Sequence, residues 1–211
     1  MPSAVVSLKR ALRKELNTLL QAVPGATIAT ESEAVVKQLF ELEEWKTSKK
    51  ISVYISMPNG EIDTRAIIEQ LLLHSKDKTC YVPRCTKNVM DMVRLKSWEE
   101  YTSLPVNRWN IPEPPLDREM ENALEKNGLD LILVPAMAFD EECNRIGHGK
   151  GYYDRYIRRC HEWAIKNNRN PPKTVGLALQ KQILQVGKIP VEPTDQKIDR
   201  IITSSKIIPS L

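Results

Sequence analysis

The sequence predicts an α/β fold, in which a single three-layer domain holds a mainly parallel sheet flanked by helices. Short apolar runs suited to buried strands alternate with longer segments in which apolar residues recur every three or four positions. A glycine-rich segment at residues 147–151 stands between one such apolar run and one such helical segment. A chain of 211 residues is long enough for one domain with a proper core. We therefore interpret residues 1–211 as a single domain.

Helical spacing of apolar residues defines the predicted helices. Leucines from Leu8 to Leu19 recur on one face and predict a helix at residues 4–21, which Pro24-Gly25 ends. Thr30 or Ser32 is expected to cap a second helix that runs to about Trp45. The same periodicity predicts further helices at residues 64–75, 117–126 and 152–166, with short helical turns at 98–101 and 182–186.

Short apolar runs define the predicted strands. Ile51, Val53 and Ile55 alternate along residues 51–56, which is typical of a strand. The remaining strands are predicted at residues 79–83, 89–95, 129–134, 174–179 and 200–203, with 89–95 as a hairpin strand. The run at 129–134 is expected to lead into the glycine segment. Four prolines and Trp109 within residues 104–115 indicate an ordered surface loop.

Composition favours a protein that binds small anionic molecules. The formal net charge is only +4, and the 31 cationic residues are spread along the chain, so we expect no nucleic-acid partner. No apolar run approaches the roughly 18 residues of a membrane span, so we expect no membrane partner. Four cysteines without C-x-x-C spacing indicate reduced thiols and no zinc site. We expect a cytoplasmic monomer, and the basic N-terminus leaves a mitochondrial location open.

The glycine segment carries the strongest functional signal. Gly147, Gly149 and Gly151 alternate with other residues, Lys150 lies inside the run, and Arg145 precedes it. The spacing is neither G-x-G-x-x-G nor a Walker loop. Glycines before a helix present backbone N–H groups to an anion, so we predict anion binding here rather than a flexible turn. The acidic residues 140–142 that come before the segment are interpreted as solvated turn residues.

The motif Arg145-x-Gly-x-Gly-x-Gly-Tyr-Tyr-Asp-Arg155 resembles the signature of the 5-formyltetrahydrofolate cyclo-ligase family, also called 5,10-methenyltetrahydrofolate synthetases. The resemblance extends over nearly the whole chain, from Lys9-Arg-Ala-Leu-Arg13 to Asp195. His148 departs from the family pattern, which often has Arg or a bulky residue there. This histidine is either a phosphate donor or a surface side chain.

The resemblance implies a reaction that depends on ATP and Mg²⁺ and uses no side-chain nucleophile. The formyl oxygen of 5-formyltetrahydrofolate would attack the γ-phosphate, and N10 would then close onto the activated carbon and release phosphate. It also implies a set of site residues. Lys150 and Arg145 would act in catalysis, and Asp154 and Asp195 would bind the metal, with Asp199 as a weaker substitute for the latter. The implied ATP-binding residues are Lys9, Arg10, Ala11, Leu12, Arg13, Arg145, Ile146, Gly147, His148, Gly149, Lys150, Gly151, Tyr152 and Tyr153. The implied folate-binding residues are Ile55, Glu61, His148, Gly149, Lys150, Gly151 and Tyr152.

The residues themselves leave alternatives open. Lys9 and Arg13 also suit a solvated basic helix face, and Glu61 also suits the start of the following helix. Trp109 would either close over the flat pterin or anchor a structural loop. Two other functions also fit an anion-binding α/β protein: an isomerase or acyl-CoA transferase that uses the loop for phosphate, and a non-catalytic module that binds nucleotide or RNA.

Overall fold

The protein is described by a computed structural model that covers residues 4–107 and 110–209. Arg108 and the predicted loop residue Trp109 lie outside the described residues. The helices are α1 Ala4–Gln21, α2 Gly25–Glu41, α3 Glu43–Thr47, α4 Arg65–Glu69, α5 Trp98–Thr102 and α6 Tyr152–Lys166. A π-helical turn, Gln70–His74, continues α4, and short 3-10 turns span Ala123–Glu125 and Gln180–Gln182. Within the described residues, no helix is long and apolar enough to cross a membrane.

A seven-stranded mixed sheet organises the chain. Its strands are β1 Lys50–Ser52, β2 Thr79–Cys85, β3 Met90–Leu95, β4 Leu131–Val134, β7 Lys173–Leu177, β9 Arg200–Ile202 and β10 Ile207–Pro209. They lie in the order β10-β9-β7-β4-β1-β2-β3, and β9, β7, β4, β1 and β2 run parallel. Both edge strands pair antiparallel with their neighbours. The predicted α/β fold with a mainly parallel sheet is thereby confirmed.

A second, three-stranded sheet stands beside the first and was not predicted. It contains β5 Ala138–Asp140, β6 Arg145–Ile146 and β8 Ile183–Leu184, in the order β6-β5-β8. Strand β5 pairs antiparallel with β6 and parallel with β8. The expectation that the buried strand at 129–134 leads into the glycine segment is therefore wrong. The chain leaves β4, forms the β5–β6 hairpin, and reaches the glycines from β6.

Side chains of the central strands pack against helices on both faces of the sheet. Leu131 and Leu133 of β4 belong to a core cluster with α2, α3 and α4 residues such as Leu39. Ile132 and Val134, which alternate with them, belong to a cluster with Ile157 and other residues of α6. Helices therefore cover both faces of the sheet, as period-two alternation of a strand buried on both sides requires.

Helix α1 packs on the small sheet rather than on the large one. Its Leu16 and Leu20 form a separate apolar cluster with Ala138 of β5 and Ile146 of β6. Ile189, from the loop that follows β8, completes the contact. This packing brings the first helix of the chain next to the strand that precedes the glycines.

Other predicted segments also differ from the structure. The predicted helical turn at 182–186 contains strand β8, and the strand predicted at 51–56 is regular only over Lys50–Ser52. The second helix starts at Gly25 behind Pro24, not at Thr30 or Ser32, and extended backbone at Leu42 (ψ 140°) separates α2 from α3. The hydroxyl of Ser32 instead accepts a hydrogen bond from the Asp63 N–H at 2.9 Å. The helix predicted at 117–126 is wrong except for the 3-10 turn, since its polar residues have little apolar surface to pack.

Candidate active site

The three glycines of residues 147–151 form a turn between β6 and helix α6. Gly149 and Gly151 have φ values of 93° and 62°, which side chains with a Cβ rarely adopt. Gly151 is the N-cap of α6, so the N–H groups of the first helical turn face the same turn. Such a helix end attracts anions through its free N–H groups and its dipole.

Arg13 of α1 holds this turn. Its Nε donates a hydrogen bond to the Gly147 carbonyl at 2.8 Å. The guanidinium also lies against Gly149, where an added Cβ would come within 3.2 Å of the Arg13 Cζ atom. Arg13 is half-buried, whereas Arg10 and Ala11 are exposed. The alternative of a solvated basic face is therefore wrong for Arg13.

Lys9, one turn earlier on α1, is a buried cation with two carboxylate partners. Its Nζ donates to Asp195 Oδ2 at 2.6 Å and to Glu192 Oε2 at 2.9 Å. Burial works against the charged amine, but hydrogen bonds and charges from Asp195 and Glu192 outweigh it and raise the pKa of Lys9. Lys9 is therefore charged, and it connects α1 to the loop between β8 and β9.

Arg145 of β6 forms the second buried ion pair. Its side chain is 4% exposed, and its Nη2 donates to Asp154 Oδ1 of α6 at 2.7 Å. The buried Arg145 Nε makes no hydrogen bond with any residue that the structure describes. The Gln196 N–H also donates to Asp154 Oδ1, at 3.0 Å, which brings Asp154 next to Asp195. Two predicted metal ligands and two predicted phosphate-binding cations thus lie together.

A cavity of about 210 Å³ opens at this place. Its walls are formed by Asn144, Arg145, Val191, Glu192, Pro193, Asp195, Gln196 and Lys197. Buried Asp140 shapes one side, because its Oδ1 accepts hydrogen bonds from the Asn144 backbone and side chain at 3.0 and 3.2 Å. The interpretation of Asp140 as a solvated turn residue is therefore wrong, since this carboxylate orders the hairpin that leads to Arg145.

The two aspartates form a donor set that suits magnesium. Asp154 uses Oδ1 and Asp195 uses Oδ2 in the contacts above, which leaves one oxygen of each without a hydrogen bond in the described structure. Mg²⁺ takes one or two carboxylates and completes its shell with phosphate oxygens and water. No group of three or more His, Cys, Asp or Glu residues suited to a metal occurs in the described part of the chain. Asp199 lies elsewhere and accepts hydrogen bonds from Thr174.

Lys150 and His148 extend from the glycine turn toward solvent. Both are exposed, and Lys150 makes no ion pair with any described residue. Although the side chain of His148 is exposed overall, neighbouring atoms partly desolvate its ring, and this desolvation, followed by the charge of Arg13, lowers its pKa. The Lys150 amine is free to meet an anion, and both interpretations of His148 remain open.

Two tyrosines at the start of α6 join the glycine turn to the rest of the site. The Tyr152 hydroxyl donates to the Thr86 and Lys87 carbonyls of the β2–β3 turn at 2.9 and 3.2 Å. Tyr153 packs against both large core clusters, and its buried hydroxyl has no hydrogen-bond partner among the described residues. The Arg145 guanidinium lies 6.0 Å from the Tyr153 ring centroid. The ring thus lies between Arg145 and the apolar core.

Glu61 is a buried carboxylate beyond the end of β1. It accepts a hydrogen bond from the Met57 N–H at 3.0 Å, and Ile55 lies buried in the cluster beside it. Burial raises its pKa to about 7, although the Met57 hydrogen bond works in the other direction. The charge of Glu61 also helps to raise the pKa of Tyr153, after burial and the charge of Cys85.

Glu61 does not cap the next helix, which was the other role considered for it; two neighbouring residues do so. Asp63 Oδ1 accepts a hydrogen bond from the Arg65 N–H at 2.9 Å, and Thr64 is the N-cap of α4. A buried acid that does not cap a helix and has a raised pKa has the features of a ligand contact.

Sequence reasoning did not single out Glu192 as a site residue. Its partner Lys9 is 183 positions away in the chain, so no local pattern links them. Glu192 stands three residues before Asp195, and this short spacing from a predicted metal ligand is the one signal in the sequence that could have indicated a site residue.

Nearly the whole chain is similar to proteins of one family. A model of the 5-formyltetrahydrofolate cyclo-ligase family matches residues 5–204. The chain is 38% identical over 200 residues to the 5-formyltetrahydrofolate cyclo-ligase of Mus musculus, with 94% of each protein covered. It is 37% identical over 203 residues to the probable 5-formyltetrahydrofolate cyclo-ligase of Schizosaccharomyces pombe, with 95% of this chain and 97% of the relative covered. The NMR structure of Aquifex aeolicus 5,10-methenyltetrahydrofolate synthetase superposes with a TM-score of 0.73 and 29% identity, covering 96% of this chain and 93% of that one. The chain therefore belongs to the 5-formyltetrahydrofolate cyclo-ligase family.

Proposed function

We propose that the residues around the glycine turn carry out the closure of 5-formyltetrahydrofolate to 5,10-methenyltetrahydrofolate. As a member of its family, the chain is an ATP-dependent ligase of folate one-carbon metabolism. One observation supports the residue assignment: three cations gather at the glycine turn and its aspartates. Arg13 binds the turn itself, Lys9 pairs with Asp195, and Arg145 pairs with Asp154. Phosphoryl transfer needs positioning and charge neutralisation more than a nucleophilic side chain, and this arrangement offers both.

The reaction proceeds in two steps. The formyl oxygen attacks the γ-phosphorus of ATP, the bond from the γ-phosphorus to the β,γ-bridging oxygen breaks, and ADP leaves. N10 of the folate then bonds to the formyl carbon and gives up its proton, and phosphate departs with the former formyl oxygen. Lys150 contacts the transferred phosphoryl group, and Arg145 stabilises the charge that develops on it.

The glycine turn, the N-terminus of α6, Lys9 and Arg13 bind the remaining phosphates. Asp154 and Asp195 are the residues that would hold Mg²⁺. When bound, the ion neutralises phosphate oxygens and helps to align them.

The folate lies on the other side of the glycine turn. Glu61 accepts hydrogen bonds from the amino and ring N–H groups of the pterin, and buried Ile55 forms part of the apolar wall. A carboxylate matched to two donors discriminates well, because an analogue without those donors leaves the acid unpaired. Tyr152 contributes to this side through its contact with the β2–β3 turn.

The remaining assignments follow from the same picture. Residues 1–211 act as one domain, and the protein works as a cytoplasmic monomer without a nucleic-acid partner. Light scattering of the purified protein during gel filtration tests the monomer, which would elute at the chain mass of 24.1 kDa.

The function is tested by mixing the purified protein with 5-formyltetrahydrofolate, ATP and Mg²⁺. Methenyl product is followed by near-ultraviolet absorbance while ADP is measured in the same sample. We expect product and ADP in equal amounts, and neither when the metal is chelated. Folded protein that forms no methenyl product would contradict the proposal, and so would ADP release without product.

A further inference from the structure

Glu192 lies in the nucleotide site but has no assigned role in the reaction. It lines the cavity beside Arg145 and Asp195, and its side chain is 32% exposed. One of its oxygens accepts the hydrogen bond from Lys9 at 2.9 Å, and its backbone N–H donates to Asp195 Oδ2 at 2.8 Å. Glu192 therefore contacts both a predicted phosphate-binding cation and a predicted metal ligand.

The charges at this place do not balance. Three carboxylates, those of Asp154, Glu192 and Asp195, face two cations, those of Lys9 and Arg145, which leaves a net charge of −1. Lys197 also lines the cavity, but its charge is offset by its partner Glu142 and does not change this sum. Lys9 is 9% exposed and is engaged by both of its carboxylate partners, so little of its positive charge remains available to an approaching anion. A polyanion is repelled by such a group, whereas a divalent cation is attracted to it.

We propose that Glu192 is a specificity-determining residue that makes nucleotide binding depend on a divalent cation. Because Glu192 cancels the charge of Lys9, ATP without a metal gains little from this lysine and is repelled by the surplus carboxylate. A divalent cation held by Asp154 and Asp195 reverses the local charge from −1 to +1. Nucleotide that arrives with the cation is then bound. This inference rests on the proposed nucleotide site.

The test is the replacement Glu192→Gln, which keeps an oxygen for the Lys9 hydrogen bond and removes the charge. Dissociation constants for ATP are measured by calorimetry, once with a chelator and once with excess Mg²⁺. We expect metal-free ATP to bind about three- to fivefold more tightly to the variant, the effect of one partly exposed charge. The dissociation constant for ATP with Mg²⁺ should change less. The ratio of the metal-free constant to the constant with Mg²⁺ should therefore fall.

A purely structural role predicts the opposite sign. If Glu192 only holds Lys9 and Asp195 in place, the variant binds both forms of ATP more weakly and the ratio stays constant. That result, or an unchanged pair of constants, would overturn the proposal. Wild-type protein that binds neither form would instead refute the proposed nucleotide site.

Glu142→Gln is the matched control. Glu142 pairs at 3.6 Å with Lys197, which lines the same cavity, and its side chain is 42% exposed. The substitution removes the same charge from the same region without touching Lys9. We expect Glu142→Gln to change the ratio much less, because Lys197 is 57% exposed and solvent already screens its pair with Glu142, whereas Lys9 is 9% exposed. An equal fall in both variants would show a general charge effect and would also overturn the role of Glu192.

Discussion

Replacing Glu61 by glutamine should stabilise the ligand-free protein above neutral pH. The carboxylate is buried and has one hydrogen-bond donor, the Met57 N–H, which a glutamine oxygen can also accept. Burial raises the pKa of Glu61 from 4.5 to about 7. Ionised Glu61 is therefore a cost to the free energy of folding, as expected of an acid with the folate-binding role proposed above.

The size and sign of the effect follow from proton linkage. Below the ordinary pKa of 4.5 the carboxyl is protonated in the folded and the unfolded protein, so it contributes no pH dependence. Between 4.5 and about 7 the folded protein holds the proton more tightly, and the free energy of unfolding falls as pH rises. At about 1.4 kcal/mol per pH unit, the full cost above neutral pH is about 3 kcal/mol.

Urea unfolding of both proteins at two pH values measures this cost. Tryptophan fluorescence reports unfolding, and the advantage of Glu61→Gln should grow by about 2 kcal/mol between about pH 5.5 and about pH 8. The control is Glu33→Gln, which alters an exposed glutamate on α2 and should show no such growth. An advantage that is the same at both pH values would refute the explanation that burial holds the pKa of Glu61 near neutrality.

Three further predictions concern the glycine turn and the aspartates. Lys150→Ala should lower kcat at least about 100-fold without changing the melting temperature, since the proposed mechanism places this exposed amine on the transferred phosphoryl group and no described residue pairs with it. Normal turnover would remove Lys150 from the mechanism. Gly149→Ala should raise KM for ATP several-fold, because its φ is 93° and the new Cβ would meet Arg13. Gly187→Ala is the control, since its φ is 81° but the space around it is open. Both variants should lose stability, but Gly187→Ala should keep the wild-type KM. Asp154→Asn should raise the Mg²⁺ concentration needed for half-maximal rate, measured by metal titration, and an unchanged titration would contradict its role as a ligand.

Periodicity was sufficient to predict the long elements of the fold. Helix α6 has the predicted bounds, 152–166, because its apolar residues recur at helical spacing over four turns. Strands β5, β6, β8 and β10 have two or three residues each, which is too short for any period to be read. Their absence from the prediction also explains why the approach to the glycine turn was assigned to the wrong strand.

The site was predictable where its residues are close in sequence. Arg145 and Asp154 flank the glycines and form an ion pair across them. The ion pairs of Lys9 could not be predicted from the sequence, because Glu192 and Asp195 contact it only when α1 packs on the small sheet. Burial of Glu61 likewise arises from tertiary packing, so no spacing in the sequence predicts that its pKa is raised.

The most direct test of the mechanism follows the formyl oxygen. The enzyme is supplied with 5-formyltetrahydrofolate that carries ¹⁸O in the formyl group, together with ATP and Mg²⁺, and the released phosphate is analysed by mass spectrometry. Attack of this oxygen on the γ-phosphorus predicts phosphate with one ¹⁸O atom for each methenyl product formed. Unlabelled phosphate, with the label lost to water, would contradict the transfer of the phosphoryl group to the folate and with it the roles given to Lys150 and Arg145.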